Sequence, residues 1–240
     1  MKRFGFSLLI QLLASSPLWA MNADETFLHA QAAYQSRNDS QLASDANQLH
    51  AQNHVLAAYA DYWLMLLKLT SADKATVQSF LSQNSDYSFA DKVRAEWLKI
   101  LGKRQDWPAF FEELPNYKRD DLAVTCYAIE GRAKTGDVIA LAEAKALWMS
   151  SNDQPSNCNN VFDLMQQSKI LTQDDIWARF RLAMQDGKIP LAKTVIQRDG
   201  SVGNAQLKQI DSVYQNPQAT LDKKTISLKT HLGRALNLYA

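Results

Sequence analysis

Two cysteines, four histidines and a few doubled acids and bases are the residues whose types and spacing permit chemistry in this chain. Cys158 closes the stretch LWMSSNDQPSNC (147–158), and Cys126 is the other cysteine. Three roles are open to Cys158: redox centre, metal ligand or half of a structural clip. No C-x-x-C pair is present, which disfavours a thioredoxin-like centre, and no histidine lies near either cysteine in sequence, which makes a poor zinc site. His50 and His54 are spaced i, i+4, so a helix would set both imidazoles on one face where a metal could sit. The motif H-A-Q-N-H lacks the glutamate of zinc proteases, however, and no third ligand follows at a recognisable distance. The pair reads as solvated or partly buried, His29 and His231 stand alone, and neither metal nor cofactor is expected.

Glycosidic cleavage needs either one carboxyl group in an apolar cleft or two held about 5 to 10 Å apart. Glu112-Glu113, Asp120-Asp121 and Asp174-Asp175 are all expected in turns or at helix starts, where they stabilise the helix dipole. No catalytic residue is assigned among them. Lys103-Arg104, Lys118-Arg119 and Arg179 with Arg181 could form a face attractive to an anionic polymer, or could simply be solvated at turns. There is no G-x-S-x-G, no Walker loop and no G-x-G-x-x-G.

The elements that must position these residues are helices. From Asp24 onward, apolar periodicity at helical spacing runs in segments of roughly 10 to 20 residues, broken by polar punctuation such as TSAD (70–73), KTGD (134–137) and DGKIP (186–190). Ala123–Lys134, Val138–Met149, Ile176–Gln185, Leu191–Gln197 and a last helix near Ser227–Ala240 are predicted helices. Asp73, Asp137 and Thr172 stand where helix N–H groups lack partners, and Gly102, Gly136 and Gly187 are predicted to stop helices in the left-handed conformation. Trp63, Trp97, Trp148 and Trp177 fall at apolar helical positions and read as core. The motif W-L-x-x-L occurs at Trp63 and again at Trp97, 34 residues apart, which is one helix-hairpin repeat. The predicted fold is all-α, a right-handed α-superhelix (α-solenoid) of stacked helical hairpins, similar to tetratricopeptide arrays.

Residues 1–20, MKRFGFSLLIQLLASSPLWA, read as a secretory signal peptide: Lys2 and Arg3, an apolar core too short to span a bilayer, then Ser-Ser-Pro before a cut after Ala20. Removing it leaves 24 basic against 25 acidic residues, a formal charge of −1 that gives no reason to expect nucleic acid, and no second segment is long enough for a membrane. In an oxidising periplasm two cysteines usually pair. A Cys126–Cys158 disulfide is therefore predicted, closing a loop of roughly 33 residues worth somewhat under ~4 kcal/mol.

Four segments together carry a resemblance: EWLKILGKRQDWPAFFEEL (96–114), CYAIEGRAKTGD (126–137), ALWMSSNDQPSNC (146–158) and IWARFRLAMQDGKIPLAKTV (176–195). In order and spacing they resemble the N-terminal superhelical region of soluble lytic murein transglycosylases. The resemblance implies an exported periplasmic protein related to enzymes that cut peptidoglycan glycan strands to 1,6-anhydro products. It also implies a ring of stacked helices on which a lysozyme-like catalytic domain rests. The family's catalytic Glu-Ser pair does not occur in this chain; DLMQQ (163–167), with Glu143 upstream, imitates only part of the Gly-Leu-Met-Gln segment. Residues 21–240 are thus expected to form a superhelical domain, truncated before the catalytic domain, inactive alone, that positions glycan strands and supports that catalytic domain. The alternative is a free-standing periplasmic helical-repeat scaffold that binds a protein or peptide.

Overall fold

The computed structural model describes residues 22–137, 139–223 and 226–240, and among them it contains α-helices and short 3-10 turns but no strand. The expected signal peptide, residues 1–20, lies outside the described residues. The chain divides into two compact units, Met1–Asn84 and Ser85–Ala240.

The first unit holds α1 (Ala23–Gln35), α2 (Asp39–Ala51), α3 (Ala57–Lys68) and α4 (Lys74–Gln83). Short polar side chains start three of them: Asn22 accepts from the Glu25 N–H, Asn38 from Gln41 and Asp73 from Thr76. These bonds satisfy donors that have no intrahelical partner. Helices α1, α2 and α3 pack mutually around Ala30, Leu42, Leu49 and Ala60. Small residues let the backbones approach, and Trp63 fills the margin, partly buried and stacked on Phe27 and Tyr34 at 5.2 and 5.7 Å between ring centroids.

The second unit runs α5 (Ser88–Arg104), α6 (Trp107–Glu113), α7 (Leu122–Lys134), α8 (Ala140–Glu143), α9 (Lys145–Trp148), α10 (Cys158–Gln167), α11 (Gln173–Gln185), α12 (Ile189–Ile196), α13 (Asn204–Gln215), α14 (Pro217–Lys223) and α15 (His231–Tyr239). Contacts pass mostly between near neighbours: α5 with α6 and α7, α7 with α8 and α10, α11 with α12, α12 with α13, and α15 against α11, α13 and α14. One apolar core runs from Cys126 to Leu236 along this series. Trp97, Trp148 and Trp177 are buried in the unit as their helical positions predict, and Thr172 caps α11 with Asp175 closing the reciprocal bond.

Two local expectations fail for identifiable reasons. Gly136 and Gly187 adopt positive φ (110° and 67°), but Gly102 lies inside α5, and the left-handed stop is Gln105 at φ 58°. Gly102 is there for space: a Cβ at that position would sit 2.3 Å from Tyr127 Cγ, so α5 and α7 approach through the missing side chain. The single helix expected over Val138–Met149 is two short ones. At Ala144 the chain tightens, its N–H bonding three residues back to Leu141, and α9 then turns Trp148 inward.

Candidate functional site

Cys126 and Cys158 are joined as a disulfide with Cα atoms 5.1 Å apart, so the start of α10 is tied into α7. Beside it, Asn157 Nδ2 donates to the Ala123 carbonyl at 2.9 Å and Asn160 to the buried Glu130. The other end of the 150–157 turn is held by Arg179, whose Nε and Nη2 donate to the carbonyls of Ser150 and Asn152 at 3.0 and 3.2 Å. Its guanidinium lies 4.6 Å from the Trp148 ring centroid, and burial, with Arg198 adding repulsion, pushes its pKa down to about 10. Arg179 is 3% exposed while Arg181 is exposed, so the two do not share a basic face, one of the two readings open to them in the sequence. Helix periodicity separates the two residues: two positions apart on a helix is nearly opposite sides.

The histidines are not as spacing alone suggested. α2 ends at Ala51 and Asn53 turns left-handed at φ 52°, so His54 lies beyond the helix that carries His50. His50 pairs with Asp61 at 2.6 Å and His54 with Asp24 at 3.0 Å. His29, which looked alone, pairs with the buried Asp45 at 2.8 Å. Among the described residues no three His, Cys, Asp or Glu side chains gather as a metal site would require.

Asp121 and Asp175 act at helix starts, where Asp121 accepts from the N–H groups of Ala123 and Val124. Glu112 and Glu113 instead end α6, and Glu113 is buried and accepts from Arg94 Nε at 2.7 Å. Glu143, the carboxylate upstream of DLMQQ, is half exposed and held by Arg132 at 2.8 Å.

The basic pair Lys118-Arg119 does line a site. A groove of about 550 Å³ is walled by Asp86, Tyr87, Asp91, Lys92, Arg94 and Lys118, and Arg119 completes it. A second groove of about 300 Å³, walled by Tyr117, Thr125, Ile129, Arg132 and Leu147, also counts Arg119 in its lining. The two therefore meet at that side chain. Arg94 is committed to Asp91 and Glu113, but no carboxylate lies within ion-pairing distance of Lys92, Lys118 or Arg119 among the described residues. One Asp91 oxygen accepts from Arg94 and the Lys118 N–H, while Oδ2 is buried without a partner. The groove thus offers unpaired cations, and its second half offers an apolar floor. Only Lys118-Arg119 carried a signal in the sequence. Asp91 and Lys92 come from α5, some 26 residues away, and only the packing of α5 on α7 brings them to the same groove.

No protein-family model matches the chain. It is homologous to soluble lytic murein transglycosylases: that of Escherichia coli (strain K12) is 23% identical over 171 residues, which is 71% of this chain and 26% of that protein. The Salmonella typhimurium (strain LT2) protein of the same name is 24% identical over 141 residues, 58% of this chain and 22% of its own. The chain spans about a quarter of the length of these relatives. Among solved structures, an inactive mutant of the lytic transglycosylase Slt from Pseudomonas aeruginosa aligns with TM-score 0.64 and 26% identity over 88% of this chain and 34% of that one. The 70 kDa soluble lytic transglycosylase of Escherichia coli gives TM-score 0.68 and 21% identity over 90% of this chain and 35% of that one. The all-helical fold is therefore the one found in these proteins.

Proposed function

We propose that this chain, homologous to lytic murein transglycosylases, is a noncatalytic helical module that holds peptidoglycan strands in the periplasm for cleavage by a lysozyme-like catalytic domain. Residues 1–20 serve as the export signal, and residues 21–240 form the superhelical part. The observation that carries this reading is the homology to murein-cleaving enzymes over 71% of the chain. The groove geometry agrees with it. Peptidoglycan is a linear polymer with sugar hydroxyls and carboxylate-bearing peptides, and the paired grooves at Arg119 offer cations for the carboxylates. The ionic part of such binding weakens with salt.

Purified chain should sediment with peptidoglycan sacculi at low salt and release no anhydromuropeptides from them. Reversing the charge at the junction, Arg119→Glu, should weaken sedimentation about tenfold, consistent with the loss of one charge-assisted contact and the gain of a repulsive one. Release of anhydromuropeptides by the chain alone would refute the noncatalytic assignment, and failure to sediment at any salt would refute glycan holding.

A further inference from the structure

A cavity of about 370 Å³ lies at the end of the second unit, well away in sequence from Arg119. Its wall is built from α11 (Trp177), the turn before α13 (Ser201), α13 itself (Gln206, Gln209) and the start of α15 with the residues before it (Ser227, Thr230, His231). Apart from the imidazole, no lining side chain among the described residues is ionisable. Among the described residues the lining thus supplies no carboxylate to hold a metal ion and no fixed cation to hold an anion. Hydroxyls, side-chain amides and aromatic rings instead match a neutral ligand that carries hydroxyl and amide groups.

Some of the lining polar groups are already engaged. Thr230 Oγ1 caps α15 by accepting from the Gly233 N–H, Gln206 Oε1 accepts from the Gly203 N–H, and Ser201 bonds to Asp199. Among the described residues the Gln206 amide N–H₂, the Gln209 side chain and the imidazole of His231 have no bond of this kind. Trp177 is 1% exposed, its Nε1–H has no acceptor, and the exposed His231 ring stacks on it at 4.2 Å with planes 26° apart. A buried, unpaired indole N–H is costly unless something fills the space beside it. Trp148, the other fully buried tryptophan of this core, spends its N–H on the Asp175 carbonyl.

We propose that this cavity binds one N-acetylated amino sugar, with the acetamide held by Gln206 and Gln209, the sugar ring edge against His231, and Trp177 Nε1–H donating to a ligand oxygen. The shape and chemistry require only a neutral hydroxyl- and amide-bearing ligand; the choice of an amino sugar rests on the peptidoglycan reading above. A ligand of about fifteen heavy atoms at ordinary ligand efficiency would bind with Kd on the order of 1 mM.

The test is titration of the full chain, tryptophan-labelled with ¹⁵N, by N-acetylglucosamine and separately by glucose. A saturable shift of the Trp177 indole resonance is expected with the acetylated sugar, at least about tenfold weaker with glucose. Gln209→Ala and His231→Ala should each weaken it about tenfold, while Arg119→Glu should leave it unchanged. Silence of the Trp177 resonance into the tens-of-millimolar range, roughly tenfold above that Kd, overturns the proposal, as does an equal response to glucose. Sacculus sedimentation reads the Arg119 groove independently: sedimentation without sugar binding sinks this inference alone, and sugar binding without sedimentation sinks the strand-holding role alone.

Discussion

At the scale of single residues, two side chains that sequence reading assigned to chemistry or to chain stops turn out to govern packing. Gly102 is set against the Tyr127 ring, so Gly102→Ala must push the ring away from α5. Overpacking of this kind costs about 1–3 kcal/mol. The urea midpoint of the variant should fall accordingly, and a midpoint equal to the parent's would show that Tyr127 yields freely. Arg179 looked like half of a basic face and is instead a buried donor to two carbonyls of the 150–157 turn, seated on Trp148. Arg179→Ala strands both carbonyls and uncovers the indole, for a loss of about 3 kcal/mol. A Lys at this position would keep the charge but not the fork that reaches both oxygens, so Arg179→Lys should recover less than half of the loss.

At the scale of elements, the Cys126–Cys158 bond and the Arg179 contacts hold the two ends of one turn, and the turn in turn sets where α10 begins. The double variant Cys126→Ala, Cys158→Ala should lose somewhat under ~4 kcal/mol by the loop-closure argument. A thiol assay on the unreduced, denatured parent should find no free sulfhydryl; two would remove the clip altogether. The pairing was legible in the sequence because it needed only two cysteines and a leader that reads as an export signal to argue from. Helix positions were legible for the same kind of reason, since caps such as Thr172 and stops such as Gly187 are local signals. Features that depend on what meets what were not legible. The break at Ala144 depends on Trp148 finding the core, and the end of α2 before His54 depends on Asn53 turning left-handed. The grooves at Arg119 and the Trp177 cavity draw their walls from helices 20 to 50 residues apart, and no local pattern records such a meeting.

At the scale of the whole molecule, charge is distributed so that stability should depend on acid. Four aspartates have their pKa values held below the ordinary carboxylate value. Asp73 is lowered by the Thr76 N–H that it caps, and Asp137 by its hydrogen bond from Arg132. Burial works against Asp121 and Asp175, but Lys99 and the α7 N–H groups outweigh it at the first, and Thr172 with Lys145 outweighs it at the second. A carboxyl group that is more acidic when folded contributes stability at pH above its unfolded value, about 4, and loses that contribution as pH falls through the folded value. The protein should therefore show a flat urea midpoint from about pH 7 to 5 on account of these groups and a steady fall below about pH 4. Asp73 lies in the first unit and the other three in the second, so the loss should appear in both. Asp137→Asn tests the assignment, because the amide cannot ionise and the variant should be less stable at neutral pH yet closer to the parent at pH 3. A gap between variant and parent that stays constant down to pH 3 would show that the Arg132–Asp137 pair contributes through geometry rather than through charge.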